Sequence, residues 1–200
     1  MKKFLFSAFA IVVFFSLLLT QINCSTATEQ KTMTKDEQIA HGEYLVNLGG
    51  CNDCHSPKVM TAMGPMPDTT RLLSGHPADV PVASIDQDFL KKGEWVLTDG
   101  KDFTTWVGPW GVSFTANLTP DKPTGTGVWT EDIFINAMRT GKHMGMGRQI
   151  LPPMPWMFIA KCTDQDLKDI FAYLQSIPAI NNQVPDPIPP DKMGPLFAKK

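Results

Sequence analysis

Two cysteines separated by two residues, and followed at once by a histidine, occupy Cys51-Asn52-Asp53-Cys54-His55. Each thiol can add across a vinyl group to form a thioether, and haem carries two vinyls on neighbouring pyrroles. One turn of chain reaches both and leaves His55 under the iron, so the pattern is the attachment signature of c-type haem. A thioredoxin-like redox pair wants a strand before it and a helix after it; this run ends a helix and leads into Ser56-Pro57. A zinc site wants a second Cys or His pair, and none stands at a suitable spacing. Cys51, Cys54 and His55 are the candidate haem-binding residues, with His55 as the first iron ligand.

A low-spin electron carrier fills the second face of the iron with Met or His. The chain offers 11 Met and three further His. Leu151-Pro152-Pro153-Met154-Pro155-Trp156 is the best place, because prolines on both sides of Met154 limit backbone freedom and fix the direction of its sulfur. Met144 and Met146 lie in a glycine-rich loop, and Met157 is a nearby alternative. His143 follows a helix end, His41 lies on the first helix, and His76 precedes a proline; none has a supporting motif. An open or labile sixth position, as in a haem sensor or enzyme, has only Arg148 to suggest it. Trp110 and Trp156 are the candidate pocket aromatics, with Trp129, Phe134 and Tyr173 as further pocket or core rings.

The elements that must position these residues are short. Thr34 with Glu37 makes a capping box for a helix running to about Leu48 and stopped by Gly49-Gly50. Gly42 inside it has no side chain, which lets another helix cross closely. Thr130 caps a second helix with Ile133, Phe134, Ala137 and Met138 on its apolar face, Arg139 in its last turn and Gly141 as its stop. Thr163 with Asp166 opens the last helix, whose stripe Leu167, Ile170, Phe171, Leu174 and Ile177 runs to Pro178. Between them, residues 57–111 form a long irregular insertion. Glu94-Trp95-Val96-Leu97 and Phe103-Thr104-Thr105-Trp106 flank Asp99-Gly100 and predict a β-hairpin with a tight turn. The fold class expected is mainly α, a few short helices around one haem, in a domain covering 34–181. Residues 182–200 form a Pro-rich tail, packed on the surface or disordered.

Composition agrees with a loop-rich chain. It is 42% hydrophobic and 19% charged, with 17 Pro and 15 Gly. Met1-Lys2-Lys3 and the apolar run Phe4 to Leu19 read as a signal sequence over 1–23, followed by a flexible tether over 24–33. Removing the signal takes two lysines from a chain of formal charge −2, leaving about −4. A mildly acidic exported protein is a poor nucleic-acid binder. Cys24 stands where the acylated cysteine of a lipoprotein would stand; the alternative is cleavage after Ala27, which discards it. Cys162 is left over and reads as a small buried hydrophobe.

The haem motif, the loop around Met154 and the last helix Ile170-Phe171-Ala172-Tyr173-Leu174 resemble a class I cytochrome c. Gly108-Pro109-Trp110-Gly111, Asn117-Leu118-Thr119-Pro120-Asp121, Gly125 to Trp129 and Arg139-Thr140-Gly141 are similar to cytochromes that serve periplasmic dehydrogenases as electron-accepting subunits. The resemblance covers about residues 35–181. It implies a cytochrome c fold in which the first and last helices cross near-perpendicularly, Gly42 and Val46 meeting Ile170 and Tyr173. It also implies a proline carbonyl that accepts the haem histidine's hydrogen bond, for which Gly64-Pro65 is the nearest equivalent. It further implies one-electron transfer to and from redox partner proteins, a donor dehydrogenase or an acceptor oxidase, either as a free carrier or as a permanent subunit of a dehydrogenase complex. Those relatives often carry two or three haem motifs, whereas this chain has one.

Overall fold

Thr34 opens the first helix, α1 (Lys35–Leu48). Its hydroxyl accepts from the Glu37 amide while the Glu37 carboxylate accepts from the Thr34 amide at 2.8 Å, the reciprocal cap expected. The computed structural model describes residues 33–90 and 97–197. The signal segment 1–23, Cys24 and most of the tether lie outside the described residues, as do Glu94, Trp95 and Val96 of the expected hairpin. Gly49 and Gly50 end α1, and Gly50 turns at φ 63° into a second, short helix, α2 (Cys51–His55), which is the haem motif itself.

The insertion contains more regular structure than its sequence suggests. β1 (Lys58–Thr61) and β2 (Gly64–Pro67) form an antiparallel hairpin with Thr61 opposite Gly64. A short helix, α3 (Gln87–Leu90), follows. β3 (Leu97–Thr98), β4 (Thr105–Gly108) and β5 (Gly111–Phe114) then form a three-stranded antiparallel sheet. The expected pairing across Asp99-Gly100 exists, Leu97 facing Val107 and Thr98 facing Trp106, but the turn is not tight. Asp99 and Asp102 each accept an amide two residues on, and Phe103 takes φ 57°, so the loop fills 99–104. The tight turn is the next one, Pro109-Trp110, closed by Gly108 opposite Gly111.

The remaining helices follow the capping signals. α4 (Glu131–Thr140) starts on Thr130 and stops at Gly141, φ 65°. α5 (Trp156–Ile159) is one turn long. α6 (Asp164–Leu174) has a Thr163–Asp166 capping box and ends three residues earlier than its apolar stripe. Pro178 keeps Ile177 out of helical geometry, and Gln175 and Ser176 close the last carbonyls instead. The fold is therefore a small mixed one: short helices plus two small antiparallel sheets.

Two apolar clusters hold it together. The first joins Val46, Leu73, Phe134, Ala137, Met138, Leu167, Phe171 and Leu174, all buried, on α1, α4 and α6 and the loop before β3. Here α1 crosses α6 at Gly42, where an added Cβ would overlap the Asp169 backbone and lie 2.9 Å from Tyr173 Cβ. Asp169 is fully buried at this crossing, and its carboxylate is bonded by His41 Nδ1 (2.8 Å) and Gln165 Nε2 (2.7 Å). The second cluster joins Ile85, Val107, Val112, Phe114 and Met193. It recruits the C-terminal tail, which carries two short 3-10 turns, Pro190–Lys192 and Gly194–Leu196. Ile188 exchanges both backbone hydrogen bonds with Val112, and Met193 is 3% exposed.

Candidate haem site

α2 is held at both ends. Asn52 Oδ1 accepts from Ser56 Oγ at 2.7 Å, and Ser56 Oγ accepts from the Leu73 amide at 2.8 Å. The Lys58 ammonium donates to the carbonyls of Asn52 (3.1 Å) and Ser56. The His55 carbonyl accepts from the Gly75 amide at 2.8 Å. Gly75 (φ 77°) lies against residues 115–117 so closely that a Cβ would fall 2.5 Å from Thr115 O. Segment 71–76 is thus wedged between the haem motif and the chain that leaves β5.

This wedge fixes the imidazole. His55 is 8% exposed, and its Nδ1 lies 2.8 Å from the carbonyl oxygen of Ala116. A carbonyl only accepts, so Nδ1 carries the proton and Nε2 presents a lone pair. Burial pulls the imidazole below its usual pKa, against the Ala116 carbonyl that raises it, which favours the neutral, metal-binding form. Burial likewise pushes the Cys51 thiol up to about 11. Cys54 is also raised by burial, with the Lys58 ammonium pulling the other way.

The expected acceptor, Pro65, does not hold this bond. It lies on exposed β2 opposite Met60, because the 58–67 segment folds back as its own hairpin instead of passing the histidine. The function expected of a proline carbonyl falls to Ala116.

The Met154 loop is tied to the same stretch of chain. Ser113 Oγ donates to Pro152 O at 2.6 Å and accepts from Trp110 Nε1 at 3.1 Å. Ser113 and Ala116 are three residues apart, a span of at most about 11 Å. One short piece of β5 and its extension therefore reaches both the histidine and the methionine loop. Met154 is half-buried against the first cluster, follows the cis Pro152-Pro153 bond, and precedes α5. Its rivals Met144, Met146 and Met157 are exposed, Met146 by 86%. Trp156 packs its ring on Gly141, where no Cβ would fit. Trp110 covers Gly108 and is linked to the methionine loop through Ser113. His41 and His76 are engaged, His41 with Asp169 and His76 with Thr104, Thr105 and the Val80 carbonyl. His143 lies edge-on to Trp129, ring centroids 5.3 Å apart.

A covalent haem brings a flat apolar ring and two propionate carboxylates. The chain has matching loose ends. In β5, Val112 and Phe114 face the second cluster, so Ser113 faces the other way, with Trp106 opposite it on β4. The ladder continues as the Thr115 amide bonds the Thr104 carbonyl at 3.0 Å, which returns Thr115 to the Ser113 face. Trp106 Nε1 and Thr115 Oγ1 are the two buried side-chain atoms, among the described residues, with no hydrogen-bond partner. Both are donors, and both lie on the face that touches the methionine loop. A carboxylate-bearing ligand suits them.

Sequence reading missed Ala116, Ser113, Trp106 and Thr115. The alternation Gly111-Val112-Ser113-Phe114-Thr115 was the available signal: small and polar residues on one side, apolar on the other.

No protein-family model matches the chain. It is 29% identical over 138 residues, 69% of its length, to the gluconate 2-dehydrogenase cytochrome c subunit of Pantoea cypripedii, covering 23% of that subunit. It is 27% identical over 145 residues to the fructose dehydrogenase cytochrome subunit of Gluconobacter japonicus, 60% of this chain and 30% of that one. It is 28% identical over 152 residues to the cytochrome c subunit of the quinone alcohol dehydrogenase of Gluconobacter oxydans, 72% of this chain and 25% of that one. The chain spans less than a third of the length of these curated relatives. Among the described residues, no helix is long and apolar enough to cross a membrane.

Proposed function

From its kinship with cytochrome c subunits of dehydrogenases, we propose that the chain is a one-electron carrier with a single c-type haem. Cys51 and Cys54 would hold the haem by thioethers, and His55 Nε2 and Met154 Sδ would bind its iron. The observation that carries this reading is the His55 Nδ1 to Ala116 O bond, which leaves Nε2 free for a metal. The haem, when bound, supplies the iron that changes oxidation state; Met/His ligation favours a raised reduction potential.

The chain's own part is positional. Ser56, Lys58 and Gly75 hold the haem motif rigid. The first cluster packs Cys51 and Met154 with apolar side chains, which keeps water from the buried face. Trp106 Nε1 and Thr115 Oγ1 would be the donors for propionate oxygens. Rigid ligands on both sides limit rearrangement when an electron arrives or leaves. The protein is exported, and it works beside a dehydrogenase, as its electron-accepting cytochrome; Cys24, where retained, offers a lipid anchor.

Purified exported protein tests this. Its mass should rise by one haem, and the ferric form should show a far-red methionine–iron band that Met154→Ala abolishes. A band that survives Met154→Ala refutes the ligand assignment. Rapid carbon monoxide binding by the unaltered ferrous protein refutes the closed, six-coordinate site. Co-purification with a dehydrogenase subunit from native cells separates the permanent subunit from the free carrier.

A further inference from the structure

Between Asp132 and Asp164 the chain has no acidic residue, yet it carries Arg139, Lys142, Arg148 and Lys161. The stretch holds +4 of a chain whose formal charge is −2, so the remainder holds −6. Arg139 is turned inward, bonding the carbonyls of Ala160 and Cys162 and the Asp164 carboxylate. Lys142, Arg148 and Lys161 are exposed. So are four large apolar side chains among them: Met144, Met146, Met157 and Phe158, the last by 67%.

The two stretches that carry these residues meet at two points. Trp156, at the start of α5, sits on Gly141, and Arg139 binds the carbonyl that ends α5. Lys161 stands 5.9 Å from the centroid of the Phe158 ring. Met157 follows Met154 by three residues, so the patch borders the proposed ligand loop. A cluster of exposed apolar residues marks an interaction surface, and a rim of one charge steers a partner of the other.

We propose that this face docks a redox protein whose contact surface is apolar and ringed by carboxylates. The proposal rests on the electron-carrier reading above. The cations set encounter and orientation, and the Met and Phe side chains make the dry contact that electron transfer to the methionine side of the haem requires.

The test uses the haem-loaded protein on gold coated with a carboxylate-terminated monolayer, a stand-in for the acidic partner surface. At low ionic strength the protein should adsorb and exchange electrons quickly, and the exchange should fade as salt is raised. The triple variant Lys142→Glu, Arg148→Glu, Lys161→Glu should exchange about tenfold or more slowly, with unchanged visible spectrum and solution midpoint potential. The control Lys35→Glu, Lys122→Glu, Lys192→Glu alters as much charge on other exposed lysines and should keep most of the rate. Equal loss in both variants would mean that net charge alone acts, and would overturn the proposal. So would binding of phosphatidylglycerol vesicles that the triple variant loses by the same factor, since the patch would then be a membrane surface. If the preparation holds no haem, the carrier reading fails, and the mass adsorbed on the monolayer still decides the charge dependence on its own.

Discussion

The two apolar clusters are built by different means. The first is mostly helical, and each helix in it has a capping residue and a glycine or proline stop, with an apolar stripe at spacings of three and four on the second and third of them. The second joins Ile85, three residues of a small sheet and Met193 from the tail, drawn from positions more than a hundred residues apart. Spacing within each helix marks most contributors to the first; pairing between strands and tail marks the second. β5 stands between them, with Val112 and Phe114 in the second cluster and Ser113 reaching the methionine loop beside the first. The difference implies a division of labour, in which the helical cluster packs Cys51 and the proposed ligand Met154, and the sheet cluster holds the strand whose extension orients His55.

The largest expected effect lies in the helical cluster. Gly42→Val drives a branched side chain into the Asp169 backbone, and should cost about 3 kcal/mol or more in thermal or denaturant unfolding of the haem-loaded protein. Next comes a paired truncation, one residue per cluster. Leu167→Ala should cost about 3 kcal/mol and also weaken the far-red methionine–iron band, because Leu167 is fully buried in the cluster against which Met154 packs. Met193→Ala should cost about 2 kcal/mol and leave that band intact. If Met193→Ala disturbs the band as much, the division between clusters is broken.

A smaller effect sharpens the role of the strand between them. Trp106→Phe with Thr115→Val should leave stability nearly unchanged, since neither donor has a protein partner to lose. It should lower the midpoint potential by on the order of 40 mV, about 1 kcal/mol for one electron, because uncompensated propionate charge then favours the ferric state. No change in potential would return both side chains to simple packing. The smallest signal concerns the haem-free chain. With its thiol pushed up to about 11, Cys51 should alkylate slowly near neutrality and gain about tenfold per pH unit until that value is reached. Fast labelling of Cys51 at neutral pH would show that the haem-free motif is open, unlike the folded cluster around it.

What could be read from the residues follows the same division. Cys51, Cys54, His55 and Met154 could be proposed from the residues alone because bonding chemistry and proline stiffness are local. Gly42 was legible because a costly glycine in a capped helix needs a reason, and Asp169 with Tyr173 supplies it. The hairpin at Asp99-Gly100 was half right: the β-formers pair, but two Asx turns lengthen the loop beyond what the Asp-Gly pair suggests. Ala116 was invisible because its contribution is a carbonyl, which every residue has, and nothing in an alanine's identity marks it. Pro65 was misplaced for the converse reason: a proline looks like a special acceptor, yet position is set by the path of the chain and not by residue type.

That main-chain bond has a consequence for how the protein can vary. The oxygen that polarises the His55 imidazole cannot be removed by changing the side chain at 116. Substitutions there leave the ligand's donor strength alone so long as the backbone keeps its course. The sensitive positions are instead Gly75 and Gly111, which hold that course at φ 77° and 95° where a side chain would collide with neighbouring backbone. On the proposed ligation, tuning of the iron through His55 is thus inherited with the shape of the chain, and a drift in sequence at the contact itself is electronically silent.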